Sequence, residues 1–248
     1  MIDEGTITAA AAYVRDLLAG EASGHGVDHA LRVCRTAAAI ARSEGADVGV
    51  CRLAALLHDV DDHKLFPGTS ASLAHAVSFL DAQGVEGDER RRVCQAIREV
   101  SFSANGMEPP SSLEAACVRD ADRLDAIGAI GVGRAFAFGG ANGRALWDES
   151  GECRDTTVAH FEDKLLLLAE GMSTQTGRFL AAGRGAYLRG FYEEFVAEWR
   201  RRSTSSLMEE AASPPCRGQK KSPPAKTTGG DARARPRDGT QRLLLVGE

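Results

Sequence analysis

An all-α fold is what this sequence predicts, and three observations predict it. Apolar residues return at three- and four-residue spacing through most of residues 1–202, and helix start and stop residues bracket those runs. Period-two alternation, which a half-buried strand needs, is scarce. No internal repeat stands out, so the helices form one body rather than an array.

The elements follow in order. TAAAAYVRDLLAG (8–20) is rich in Ala and Leu and stops at Gly20. VDHALRVCRTAAAIARSEG (27–45) sets Val33, Ala37 and Ile40 on one face and stops at Gly45. Asp47 is placed to cap VGVCRLAALLH (48–58). SASLAHAVSFLDAQG (70–84) is expected to start at a serine and end at Gly84, with GDERRRVCQAIREVSF (87–102) after it. SSLEAACVRDADRLDAIGAIG (111–131) opens with Ser111 three residues before Glu114, a capping-box pattern. The glycines of GAIGVGRAFAFGGANGR (128–144) lack the spacing of a nucleotide-binding fingerprint and follow no strand. They read as close helix packing and then a turn at Gly139–Gly143. TVAHFEDKLLLLAEG (157–171) and a long stretch from Thr174 to Trp199, with aromatics on one side, complete the body.

The composition changes after FYEEFVAEWRRR. Residues 203–248 hold five of the eight prolines and almost no apolar periodicity, so they are expected to form a disordered tail behind a body spanning 1–202. The body carries 22 Lys+Arg against 30 Asp+Glu and the tail 8 against 5, so a net charge of −5 divides into −8 and +3. An acidic body argues against a broad nucleic-acid footprint. Six cysteines with no C-x-x-C pair exclude zinc ribbons and thioredoxin-like motifs and suit a reducing cytoplasm. The N-terminus carries Asp3 and Glu4 where a signal peptide needs positive charge, and no run approaches the ~20 apolar residues of a membrane span.

The titratable residues cluster on three of these helices. His25 and His29 are four apart, with Asp28 and Arg32 beside them. His58 and Asp59 end an apolar helix, where a shared ion would sit in the angular gap between adjacent side chains. Asp120, Asp122 and Asp125 lie within an apolar pattern, and carboxylates on a core-directed stripe are costly unless paired or bound to metal. Imidazoles and carboxylates from three helices suit one divalent ion.

The order His … His-Asp … Asp resembles the HD-domain superfamily of metal-dependent phosphohydrolases. The blocks HGVDHALRV, LAALLHDVDDHKL and DADRLDAIGAIGVGRAFAFGG, with HFEDKLLLL and FYEEFVAEW after them, are similar to its subfamily of predicted HD hydrolases, over roughly residues 5–200. The resemblance implies a helical HD bundle with His29, His58, Asp59 and Asp122 as metal ligands, and with Asp120 and Asp125 supporting a ligand or packing the helix. Val27 departs from the pattern, since many relatives carry an aromatic residue there. Dinuclear members need further histidines between the His-Asp pair and the last Asp. His63 is too close to His58 and only His75 is left, so one metal ion is expected.

Phosphoryl bonds resist hydrolysis because anionic oxygens repel the nucleophile and charge builds on the leaving oxygen, and a divalent ion answers both. Two imidazoles and two carboxylates leave open positions on a six-coordinate ion, and a donor set without thiolate suits Mn²⁺, Mg²⁺, Fe²⁺, Co²⁺ or Ni²⁺. Nucleotidase relatives place an acidic catalytic residue where Asp62 stands, so it is expected to orient or deprotonate the attacking water. Lys64 is expected to neutralise phosphoryl or leaving-group charge. His25, Arg123, Arg134 and Lys164 are the candidate substrate contacts, and His160 reads as structural. The expected substrate is a small phosphorylated molecule such as a nucleotide, with a homodimer open. The alternatives are a non-catalytic nucleotide-binding or signalling module and an HD-type oxygenase, the latter disfavoured by the missing histidines.

Overall fold

The computed structural model describes residues 1–21, 26–63, 65–101, 105, 106 and 108–203. Helix α1 (Glu4–Leu17) starts at Asp3, whose Oδ1 accepts from the Thr6 amide at 2.8 Å. It is followed by α2 (Val27–Glu44), α3 (Val48–Leu57), α4 (Ala74–Ala82), α5 (Gly87–Val100), α6 (Leu113–Asp125) and α7 (Gly128–Ala141). α8 is composite. An α turn (Thr157–His160) runs into a π-helical turn (Phe161–Leu165) and one further α turn (Leu166–Leu168). α9 (Gln175–Ser203) is the longest. Ala145 and Thr156 form an isolated parallel bridge, and no strand occurs among the described residues. The architecture is all-helical, as expected. The expected tail beyond Ser203, His25 and Lys64 lie outside the described residues.

α3 is the central rod, packed by α1, α2, α5 and α6. Seven of its ten residues are buried, among them Leu53, Leu56 and Leu57, and each such leucine contributes about 2 kcal/mol by leaving water. Asp47 caps it as expected, accepting from the Val50 amide at 3.1 Å. Gly45 ends α2 in the left-handed region at φ 80°, which lets the chain reverse into α3 within three residues. Cys34, Cys51, Cys94 and Cys117 are free, buried thiols that pack as small hydrophobes. No single described helix is long and apolar enough to cross a membrane.

Three expectations about helix ends are corrected. α4 does not start at a serine: residues 70–73 form turns, Leu73 adopts φ 55°, and the helix amides of His75 and Ala76 are capped from afar by Asp61, at 3.1 and 2.9 Å. The cap of α6 is Ser112, which accepts from the Ala115 amide at 3.1 Å, while Ser111 bonds Glu99 and Glu114 pairs with Arg92. The single helix read through 111–131 breaks after Asp125. The chain bends by 71°, and α7 begins at Gly128, whose φ of 74° suits glycine. The glycine-rich stretch is therefore mostly helix, with its turn only at Asn142 and Gly143.

Candidate metal centre

Three helix ends meet at one point. The first turn of α2 carries His29, the C-cap of α3 is His58 with Asp59 next in the chain, and the last turn of α6 carries Asp122 and Asp125. Two of these ends are C-terminal, where the partial negative charge of the backbone carbonyls favours a cation. His29 Nε2 lies 3.2 Å from His58 Nε2, 3.4 Å from Asp59 Oδ2 and 3.3 Å from Asp122 Oδ1. His58 Nε2 lies 3.4 Å from Asp59 Oδ1 and 3.7 Å from Asp122 Oδ1. Metal bonds of about 2.1 Å put neighbouring donors about 3.0 Å apart in an octahedral sphere and about 3.4 Å apart in a tetrahedral one. The observed separations fall close to that range.

The hydrogen bonding behind the rings decides what faces the centre. His29 Nδ1 sits 2.8 Å from Asp125 Oδ2, and His58 Nδ1 sits 2.8 Å from the Ala55 carbonyl. Both partners accept, so each Nδ1 carries the hydrogen and each Nε2 turns a lone pair inward. Two lone pairs at 3.2 Å beside two carboxylates repel unless a proton or a cation lies between them. The charges agree. Burial alone would push the His29 imidazole down, but Asp122, Asp125 and Asp59 outweigh it and raise it to about 9. Burial would raise Asp122, and the two histidines instead hold it down to about 2. Asp125 is likewise held well below the carboxylate range against its burial, by His29 and Arg32. Of these donors, His29, His58 and Asp59 lie close enough together that they could hold a metal ion.

Asp125 anchors the arrangement from behind. Arg32 grips it through Nε at 2.8 Å and Nη2 at 3.0 Å, and Arg134 Nη1 stands 3.2 Å from Oδ2. Two cavities are lined in part by the arginines that hold Asp125, Arg32 in one and Arg134 in the other. One, of about 400 Å³, opens between α1 and the start of α2 beside Arg15, Gly26, His29 and Arg32. The other, of about 230 Å³, lies between α7 and α8 and is lined by Arg134, Phe138, Arg144, His160 and Lys164. Lys164 faces it from the π-helical turn, an irregularity often found at functional sites.

Not every expected residue arrives here. The Arg123 terminal nitrogens donate to the carbonyls of Gly171 and Gly106 at 2.6 and 2.5 Å, so this buried side chain, expected at the substrate, clamps two loops. Asp62 is partly exposed one turn beyond Asp59, its Oδ2 3.8 Å from His63 Nδ1. His75 is committed elsewhere, with Nδ1 2.8 Å from the Val60 carbonyl and 3.2 Å from Asp61. Asp120 packs a helix: it accepts from the amides of Ser173 and Thr174 and the hydroxyl of Thr174 at 2.7–3.1 Å, fixing the start of α9. Sequence reasoning missed Arg15, Arg144 and the bidentate Arg32 grip, and no local pattern marks them.

The sequence and the fold are similar to those of known proteins. The HD domain family model matches residues 26–127. The chain is 39% identical over 184 residues to the uncharacterized protein YpgQ of Bacillus subtilis (strain 168), covering 73% of this chain and 88% of that protein. A structure of YpgQ in complex with ADP aligns with a TM-score of 0.62 at 32% identity, over 82% of this chain and 98% of that one. A Lactobacillus plantarum protein aligns at TM-score 0.71 and 38% identity, over 81% of this chain and all of the other. An HD-superfamily hydrolase from Bacillus thuringiensis aligns at 0.65 and 36%, over 79% and 98%.

Proposed function

Because the chain belongs to the HD-domain superfamily of hydrolases, we propose that it hydrolyses a phosphoester or phosphoanhydride bond of a nucleotide or similar small phosphorylated metabolite. The observation that carries this reading is the convergence of the His29 and His58 Nε2 atoms, 3.2 Å apart, on two carboxylates. The ADP bound to YpgQ supports a nucleotide.

His29, His58, Asp59 and Asp122 hold one divalent ion, of Mn, Mg, Fe, Co or Ni. Bound there, it supplies a polarised phosphoryl oxygen and a water of lowered pKa. Asp125 and the Ala55 carbonyl hold the Nδ1 protons, which keeps both Nε2 atoms available as donors. Asp62, partly exposed on the chain just past Asp59, takes the proton of the attacking water. Arg134 and Lys164 neutralise phosphate oxygens in the α7–α8 cavity. Arg15 and Arg32 line the other cavity and suit anionic oxygens there. His25 and Lys64 keep their expected tasks, at the phosphate and the leaving group.

Metal analysis joined to a phosphate-release screen over nucleoside mono-, di- and triphosphates tests this, with Asp59→Ala as control. The expected result is one ion per chain and turnover that Asp59→Ala abolishes. Stoichiometric metal with no turnover on any phosphorylated compound would leave a nucleotide-binding module, and two irons per chain would favour an oxygenase.

A further inference from the structure

A further cavity, of about 610 Å³, lies between residues 109–113 and residues 170–173 and shares no lining residue with the metal centre or its two neighbouring cavities. It opens at the N-terminal end of α6, whose last turn carries Asp122 and Asp125. Pro109, Pro110, Leu113 and Met172 give it apolar walls, and a space of this size holds a small molecule.

Arg119, only 2% exposed, forms part of the wall. Its Nη1 donates to the Glu108 carbonyl and its Nη2 to Ser173 Oγ at 2.7 Å, while its buried Nε has no acceptor. No described carboxylate bonds this guanidinium. Burial lowers its pKa, against the pull of Asp120 and Glu99 from a distance. A buried cation without a bonded counter-ion is costly, and a buried donor without an acceptor adds to that cost.

The hydroxyls of this wall are donors too. Ser173 Oγ accepts from Arg119 and Ser112 Oγ from the Ala115 amide, so each hydroxyl hydrogen is left to point elsewhere. Glu99 already accepts from the Ser111 amide at 2.8 Å and from the Ser111 hydroxyl, and Glu170 is turned to solvent. Donors therefore exceed acceptors here, and the first turn of α6 adds its positive end.

We propose that this cavity binds a small apolar carboxylate, whose oxygens accept from Arg119 and the serine hydroxyls while its body lies between Pro109, Pro110, Leu113 and Met172. A single guanidinium with two nitrogens already engaged matches a single negative charge. A phosphate dianion would bring a second charge toward Glu99 and Glu170.

An NMR titration of the full chain with benzoate tests this, beside benzamide as the uncharged analogue and phenylphosphonate as the dianion. Leu113→Glu and Arg119→Gln are the variants. Leu113 is 42% exposed in the first turn of α6, where a carboxylate is favourable, so Leu113→Glu folds like the parent while setting a negative charge beside the cavity. Circular dichroism checks both folds, and Leu113→Glu carries the test if Arg119→Gln does not fold. One benzoate per chain is expected, with a Kd of about 1 mM or below. Either variant is expected to weaken it at least about tenfold, and benzamide to bind at least about tenfold more weakly. No saturable benzoate signal up to about 10 mM, binding that a folded variant leaves unmoved, or benzamide bound as well as benzoate overturns the proposal. Phenylphosphonate that displaces benzoate at lower concentrations than benzoate itself needs to bind overturns the carboxylate assignment.

Discussion

Two sets of aspartates lie within three residues of each other in the sequence and do opposite work. Asp61 and Asp120 are saturated by donors: Asp61 accepts from the amides of His75 and Ala76, and Asp120 from Ser173, Thr174 and the Thr174 hydroxyl. Asp59 and Asp122 instead face the Nε2 atoms of His29 and His58. A carboxylate surrounded by N–H groups is structural, because its charge is already neutralised by fixed dipoles. A carboxylate that meets other acceptors calls for a cation.

That contrast can be broken in four ways, from the largest expected effect to the smallest. Asp59→Ala removes a ligand, so turnover falls at least about a thousandfold, roughly 4 kcal/mol at the barrier. Steady-state kinetics with the metal in excess checks this. Asp120→Ala reverses the pattern. It strands the Ser173 and Thr174 amides and loosens the start of α9, costing about 3 kcal/mol of stability by urea denaturation.

Asp125→Asn tests the anchoring behind His29. The ring loses the charge that holds its Nδ1 proton, and Arg32 and Arg134 lose their shared partner, so metal affinity falls about 10- to 100-fold by competition titration. The smallest effect is in the pH profile. The metal-free His29 is raised to about 9, so it is protonated at neutral pH, and an ion must displace that proton. Metal affinity therefore climbs with pH toward 9, by up to about tenfold per unit, and calorimetry at pH 7.5 in two buffers detects about one proton released. Metal-free stability runs the other way. The His29 contribution is complete below its unfolded value near 6.5 and is lost as pH rises through about 9, so the metal-free protein weakens across the window in which metal binding strengthens.

Much of the fold was open to sequence reading because its signals are local. Gly45 and Asp47 end α2 and start α3 within a few residues of each other, and each acts on backbone no further than four residues away. Where the cap came from elsewhere the reading failed: α4 is capped by Asp61, fourteen residues from His75 along the chain. The four expected ligand residues do stand together, and the resemblance in motif order had grouped them. The pattern could not separate Arg123, which clamps loop carbonyls, from Arg134, which reaches Asp125 and a cavity.

The amino-acid order by itself determined which stretches are helical, which faces are apolar and which imidazoles and carboxylates lie near helix ends, because periodicity and capping act over a turn or two. Only the tertiary structure decided which of those carboxylates meets an amide and which meets a lone pair. That choice depends on the angle at which α2, α3 and α6 cross and on the 71° bend after α6, and both are set by the packing of side chains far apart in the chain.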